Sequence, residues 1–392
     1  MNKVRTAVIG CGMISNIYIR NLKELFSIID LTALSDINLT SAQEKAQYFG
    51  IEKVMTPAEI AEDKEIELVV NLTPAPAHFK VIRTMLNAGK HVYTEKMFTT
   101  DLNQSRELVK LAEEKHRMIA AAPDTVLGAG VQSAKYYLDS GLIGDVTGGF
   151  VSITRNQNLN SELYRFLQKE GGAIPYDVGV YYIGALITLL GPVKTVCGYA
   201  APALYHEKEL LYSENNPENW TIPGNNVIAA ALEFESGALV TVHFNGNTAG
   251  SPHHAFELYG TRGRMEVGDP NTFNGTVKVT LPESETVTLP FTHGFNGMNL
   301  LEKKEWFDDY GHRGVGAAEL AYAIRMKRPN RLSKEYGLHC QEVLQGIDEA
   351  ARTGTVYKLK SSCTVVPLKP GYYSTLFEGT VRGDAERSLI EA

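Results

Sequence analysis

The sequence predicts an α/β plus α+β chain, with an N-terminal doubly wound parallel sheet followed by a C-terminal α+β unit that has a mostly antiparallel open sheet. Three observations lead there. From Val4 to about Ala122, short runs rich in Val, Ile and Leu alternate with helix-like segments; beyond Pro123, strand-like runs follow one another with few helices between them; and the first strand ends in a glycine turn.

The strands expected in the first half are Val4 to Ile9, Leu31 to Ser35, Leu68 to Leu72, His91 to Thr94 and Met118 to Ala121. Between them, Ile14 to Leu25, Ser41 to Phe49, Ala77 to Asn87 and Leu102 to Lys115 carry apolar residues at helical spacing. Asn87-Ala88-Gly89 stops the third of these helices just before the strand at His91. In the second half, Gly148 to Thr154, Val193 to Ala200, Val227 to Glu235, Ala238 to Phe244 and Ala255 to Tyr259 read as strands. Glu235-Ser236-Gly237 and Gly260-Thr261-Arg262-Gly263 supply turn chemistry between antiparallel neighbours. Helices are expected at Val126 to Asp139, Tyr176 to Leu190, Ala317 to Met326 and Glu335 to Thr353. The boundary falls near Pro123, giving one unit at 1–123 and a second at 124–392.

Length and composition fit this division. At 392 residues two domains are the default, and 44% hydrophobic with 21% charged residues describe a folded chain without a run long enough to span a bilayer. A net charge of -7 with no long basic run argues against nucleic acid as a partner, leaving small molecules. Cys11, Cys197, Cys340 and Cys363 lie far apart, and His253-His254 has no third ligand spaced to complete a zinc set, so no metal is expected. The N-terminus lacks a secretory pattern, and the expectation is a reduced, cytoplasmic protein.

The first strand runs into Gly10-Cys11-Gly12-Met13-Ile14-Ser15, the first two glycines of a dinucleotide fingerprint with a small serine in the third place. In a Rossmann unit Gly10 makes the tight turn, Gly12 admits the pyrophosphate, and the following helix points its positive N-terminus at the phosphates. Asp36 ends the second strand, where a carboxylate would hold the adenosine ribose and repel a 2'-phosphate. NAD is therefore favoured over NADP, and Asn38 carries no charge to welcome a phosphate. Thr73, Pro74, Glu95 and Asp124, at the same edge of the sheet, join Gly10, Cys11, Gly12, Met13, Ile14, Asp36 and Lys96 as expected cofactor contacts.

Gly89-Lys90-His91-Val92 leads into Thr94-Glu95-Lys96-Met97, which places a lysine at the strand end where such sheets bind ligands. With Gly171-Gly172-Ala173-Ile174-Pro175-Tyr176-Asp177-Val178-Gly179-Val180-Tyr181, the chain resembles the Gfo/Idh/MocA family of NAD(P)-dependent oxidoreductases over nearly its whole length. In that family the first motif is usually Glu-Lys-Pro with a catalytic lysine, and Met97 stands here in place of the proline. The second is similar to the family's Asp-x-Gly-x-His helix, with Tyr181 in place of the histidine. The resemblance implies that Lys96, Asp177 and Tyr181 are catalytic. A helix would stack Asp177 and Tyr181 on one face, and a neighbouring ammonium would lower the Tyr181 pKa towards working pH. In the resulting Lys-Tyr relay Tyr181 takes the carbinol proton, Lys96 stabilises the alkoxide, and Asp177 binds a hydroxyl and orients Lys96. Each has a plainer alternative: a surface lysine, a helix N-terminal carboxylate and a core aromatic.

Alongside Lys96, Asp177 and Tyr181, the substrate-facing candidates are Thr125, Arg155, Asn156, Tyr164 and His312, each of which has a structural alternative. The family implies a sugar, cyclitol or glycoside substrate, and the Asn-rich loop from Asn156 to Asn160 suggests oxidation at a glycosyl C3. It also implies a homo-oligomer, a dimer or tetramer. Competing readings are an NADP-preferring carbonyl reductase or dihydrodiol dehydrogenase, and a non-catalytic NAD-binding redox sensor. His78, His91 and His116 read as solvated or capping residues.

Overall fold

A computed structural model describes residues 2–204, 221–297, 305, 307 and 311–371. The first half builds a six-stranded parallel sheet from β1 (Val4–Ile9), β2 (Ile29–Ser35), β3 (Lys53–Val54), β4 (Leu68–Asn71), β5 (His91–Thr94) and β6 (Ile119–Ala121), in the order β3-β2-β1-β4-β5-β6. The connections are α1 (Ser15–Glu24), α2 (Leu39–Phe49), α3 (Pro57–Glu62), α4 (His78–Asn87) and α5 (Leu102–Glu114). Both faces of the sheet are covered: Val4 and Val8 of β1 join one apolar cluster, while Ala7 and Ile9 join the other. Chain order reverses between β1 and β4, opening the crevice at their C-terminal ends where such sheets hold ligands.

Every strand and helix expected in the first half is present within a few residues, while β3 and α3, which are two and six residues long, carry too little pattern to read. α3 is short but well capped, with Thr56 and Glu59 forming a reciprocal capping box.

In the second half, α6 (Ala129–Asp139) precedes β7 (Val146–Thr154) and α7 (Gln157–Leu163). A π-helical turn (Pro175–Gly179) then leads into α8 (Val180–Leu190). The sheet continues with β8 (Val193–Pro202), β9 (Asn225–Phe234), β10 (Leu239–Asn245), β11 (His253–Gly260), β12 (Gly263–Val267), β13 (Val277–Thr280), β14 (Val287–Leu289) and β15 (Tyr357–Lys358). Its order is β14-β13-β12-β11-β7-β10-β9-β8-β15, and it is mixed, with β7 and β10 parallel and the other pairs antiparallel. Its inner face packs on the buried α8, while Cys197, Ala231, Thr241, Phe150 and Glu257 form a cross-strand row on the outer face.

α9 (Val315–Met326) and α10 (Lys334–Thr353) return to the parallel sheet. Asn21 of α1 donates to the carbonyls of Gly311 (2.9 Å) and Arg313 (2.8 Å), and Arg106 of α5 meets the buried Glu342 of α10 at 2.8 Å. The late helices thus brace the first sheet. Among the described residues no helix is long and apolar enough to cross a membrane.

Candidate active site

The glycine turn lies at the crevice between β1 and β4. Gly10 has φ +107°, and a Cβ there would sit 2.5 Å from the carbonyl carbon of Leu72, so the turn after β1 lies hard against the end of β4. At Gly12 an added Cβ meets nothing within 4 Å, so packing does not demand glycine there, whereas the approach of a pyrophosphate would. α1 starts without a side-chain cap or an acidic residue in its first turn, leaving its positive end for an anion. Ser15 is fully buried and donates to the Gly12 carbonyl at 2.6 Å.

Asp36 is fixed at the end of β2, accepting from Cys11 N at 2.6 Å and from Asn38 N at 2.8 Å. Burial first, and Asp36 second, push the Cys11 thiol up to about 12, so this cysteine is inert and shapes the turn. Met13 is part-exposed beside the turn, and Ile14 packs on the core at the start of α1. Lys45 of α2 bonds Asn16 of α1 and feels the charge of Asp36, a cation that the reading of Asn38 overlooked. These residues fit a dinucleotide.

Thr73 bonds the Asn71 side chain through its hydroxyl (2.8 Å), and Pro74 opens a short 3-10 turn before α4. His78 is buried rather than solvated, its ring nitrogens 2.7 Å from Met97 O and 2.8 Å from Thr73 O, so it ties the β4 loop to the residue after Lys96. His91 is half-buried and accepts from Met118 N at 3.0 Å, with burial lowering it to about 4. His116 is exposed and follows Lys115, the C-cap of α5, with φ 51°.

At the end of β5, Glu95 accepts from Tyr18 Oη of α1 at 2.7 Å, and the Lys96–Met97 peptide is cis. Lys96 Nζ donates to Asp177 Oδ1 and to the Asp177 carbonyl, both at 2.8 Å, and lies 5.2 Å from the Tyr181 ring centroid. The second oxygen of Asp177 receives Gln157 Nε2 at 3.1 Å and the Arg155 guanidinium. Arg155 Nε also donates to Gln157 Oε1 at 2.6 Å. Gln157 was not singled out because nothing about it stands out beside Asn156; only the fold brings it to the carboxylate.

The charges follow from these contacts. Burial would raise the Asp177 carboxyl, but Lys96 and Arg155 overcome it and hold it at about 2. Burial would likewise lower the Lys96 ammonium, but Asp177, Tyr181 and Glu95 hold it above the usual lysine range. For Tyr181 the outcome differs from expectation: burial is the largest influence and leaves the phenol above its ordinary value, although Arg313 and Lys96 both pull it down. The expected helix is also interrupted, since Asp177 sits in the π-helical turn and Tyr181 in the first turn of α8. Both still face Lys96.

Other candidates have structural duties. The Asp124 carboxylate is fully buried, accepts from Gly314 N (2.8 Å) and Gly316 N (3.3 Å), and lies 3.6 Å from Arg313. It supports the start of α9 and lies next to Thr125, also fully buried. Asn156 caps α7 by accepting from Leu159 N at 2.9 Å, and Tyr164 packs beside Phe166. His312 is wedged between Phe273 and Phe295, accepts from Gly297 N at 3.1 Å, and is lowered to about 4 by burial. The residue of that stretch that reaches Tyr181 is its neighbour Arg313, whose Cζ is 5.0 Å from the ring centroid.

Comparison with known proteins adds to this geometry. The model of an oxidoreductase family with an NAD-binding Rossmann fold matches residues 4–122, and that of the Gfo/Idh/MocA C-terminal domain matches residues 131–266. The chain is 32% identical over 199 residues to an uncharacterized oxidoreductase of Schizosaccharomyces pombe, covering 50% of this chain and 54% of that protein. With the scyllo-inositol 2-dehydrogenase (NAD(+)) of Bacillus subtilis it shares 26% identity over 274 residues, 68% of this chain and 74% of that one. The chain spans about half the length of several curated relatives that it matches. Levoglucosan dehydrogenase, solved in complex with NADH and L-sorbose, superposes with a TM-score of 0.74 at 18% identity, covering 91% of this chain and 98% of that one. At that identity the likeness is one of fold.

Proposed function

Because the chain belongs to the Gfo/Idh/MocA family of NAD-binding oxidoreductases, we propose that it interconverts a secondary hydroxyl and a carbonyl on a sugar, cyclitol or glycoside. The observation that carries this reading is the Lys96 ammonium, held 2.8 Å from Asp177 and 5.2 Å from the Tyr181 ring centroid, beyond the C-terminal end of β5. NAD, seated by Gly10, Gly12 and Asp36, would supply the acceptor or donor of hydride. Tyr181 exchanges a proton with the substrate oxygen, and Lys96 sets its charge against the negative charge that develops there. Asp177, braced by Arg155 and Gln157, keeps Lys96 in place. Since burial holds the Tyr181 phenol protonated at neutral pH, the resting site is loaded for carbonyl reduction, and alcohol oxidation gains as pH rises.

The charges around the site favour a neutral substrate. Among the described residues, Lys96, Arg155 and Arg313 are offset by Asp177, Glu95 and Asp124, leaving no excess to recruit an anion. Two proteins similar to this one, a cyclitol dehydrogenase and levoglucosan dehydrogenase, agree with a polyhydroxylated neutral molecule. On this reading residues 1–123 seat the cofactor, 124–392 supply the substrate pocket, and Arg155 is the strongest remaining candidate to touch a substrate hydroxyl.

The test is a panel of sugars, cyclitols and glycosides, each mixed with the purified protein and NAD and followed by NADH absorbance. We expect reduction with at least one secondary alcohol of the panel; none in either direction would favour a redox sensor. A second reading, an NADP-preferring carbonyl reductase or dihydrodiol dehydrogenase, draws support from Lys45, whose charge offsets part of the repulsion by Asp36. Running the panel with both cofactors separates the two readings.

A further inference from the structure

A buried phenol that passes its proton to a substrate oxygen becomes, for that moment, a buried phenolate, and its charge needs an answering cation. This inference rests on the proton-exchange role given to Tyr181. We propose that Arg313 is the positioning residue that stabilises the Tyr181 phenolate, a duty that Lys96 alone does not meet.

The geometry separates the two cations. Lys96 gives two of its donors to Asp177, at 2.8 Å each, so much of its charge is already answered by that carboxylate. Arg313 is 5% exposed and is anchored through Nη2, which donates to Asn271 O at 3.2 Å and to Asn271 Oδ1 at 3.1 Å. Among the described residues its Nε and Nη1 are buried without a hydrogen-bond partner, and Asp124 Oδ1, at 3.6 Å, lies beyond hydrogen-bond reach. Asp124 is in turn held by the amides of Gly314 and Gly316, so it cannot swing closer without giving up those bonds. A guanidinium with two idle donors is costly to bury, and the group it lies against is the Tyr181 ring, 5.0 Å from Cζ.

Among the described residues, the charged groups that face Tyr181 are Arg313 from the start of α9, Lys96 and Glu95 from the end of β5, and Asp177 from the π-helical turn. The two carboxylates oppose ionisation and the two cations favour it, with Arg313 exerting the larger pull. A merely structural Arg313 would brace Phe273, whose ring centroid is 5.9 Å away, and would leave the ionisation of Tyr181 alone.

The test replaces Tyr181 by 3-nitrotyrosine in the full chain and reads its ionisation by absorbance, with and without NAD, so no turnover is needed. Arg313→Gln is expected to raise the midpoint by about one unit, a tenfold shift, and Arg313→Lys to recover most of it. Asp124→Asn, which keeps Arg313 and removes its counter-charge, is expected to lower the midpoint, and serves if Arg313→Gln does not fold. A midpoint that moves by less than about 0.3 unit in these variants, or equally in Arg313→Gln and Arg313→Lys, overturns the proposal. The polyol panel judges the enzyme reading separately: turnover with an unmoved midpoint removes only Arg313, and a shift without turnover removes only the proposed activity.

Discussion

The Asp177 carboxylate concentrates the chemistry of the site at the residue scale, because Lys96, Arg155 and Gln157 converge on it and only the fold brings them there. Its carboxyl is held at about 2, below the ordinary 3.8, against the raising effect of burial. A depressed carboxylate stabilises the fold above its unfolded pKa and loses that contribution as pH falls through its folded value. The pair should therefore contribute roughly 2 kcal/mol at neutral pH, lost between about pH 4 and pH 2. Asp177→Asn should remove that acid dependence and, by leaving the Lys96 and Arg155 charges buried without their partner, destabilise the fold at pH 7 by roughly 3 kcal/mol or more. Denaturant unfolding of both proteins across that pH range checks it; parallel pH profiles would contradict it.

The π-helical turn at Pro175–Gly179 is the element that sets the site geometry. It widens the helix start where Asp177 offers both its carboxylate and its backbone carbonyl to Lys96. Deleting Val178 should restore α-helical register, keep the buried α8, and swing Asp177 off Lys96; turnover should fall by roughly 100-fold or more while the circular dichroism stays near that of the parent. Unchanged turnover would show that the widened turn is idle.

Elements differ in how plainly the sequence announces them. The parallel strands other than β3 are legible because both faces are buried and the runs are nearly all apolar, and Gly10, Gly12 and Asp36 are legible because backbone approach and charge each demand one residue type. The π-helical turn is not, since Pro-Tyr-Asp-Val-Gly differs little from an α-helix start. Nor is Gln157, which reaches the site by long-range packing, or the direction of the Tyr181 shift, which depends on how deeply the ring is buried.

At the scale of the whole molecule, two sheets meet through the helices between them, and no described residue covers the outer face of the nine-stranded sheet. Ala231, Thr241 and Phe150 cross its centre in one row, and Tyr199 and Leu239 are also exposed, at 82% and 62%. An exposed sheet face carrying small and aromatic side chains suits a second copy of the chain. Light scattering should give a dimer or tetramer, and Thr241→Arg should reduce it towards the single chain; a wild-type monomer would contradict this association.

The proposed activity requires that Lys96 work on the reacting oxygen and not on the cofactor or the fold. Lys96→Met should bind NAD within about threefold of the parent, yet lose turnover of any substrate found by at least about 1,000-fold. The direct measurement is NAD titration and turnover on that one variant. Intact binding with abolished turnover is the predicted result, and turnover close to that of the parent would contradict the account.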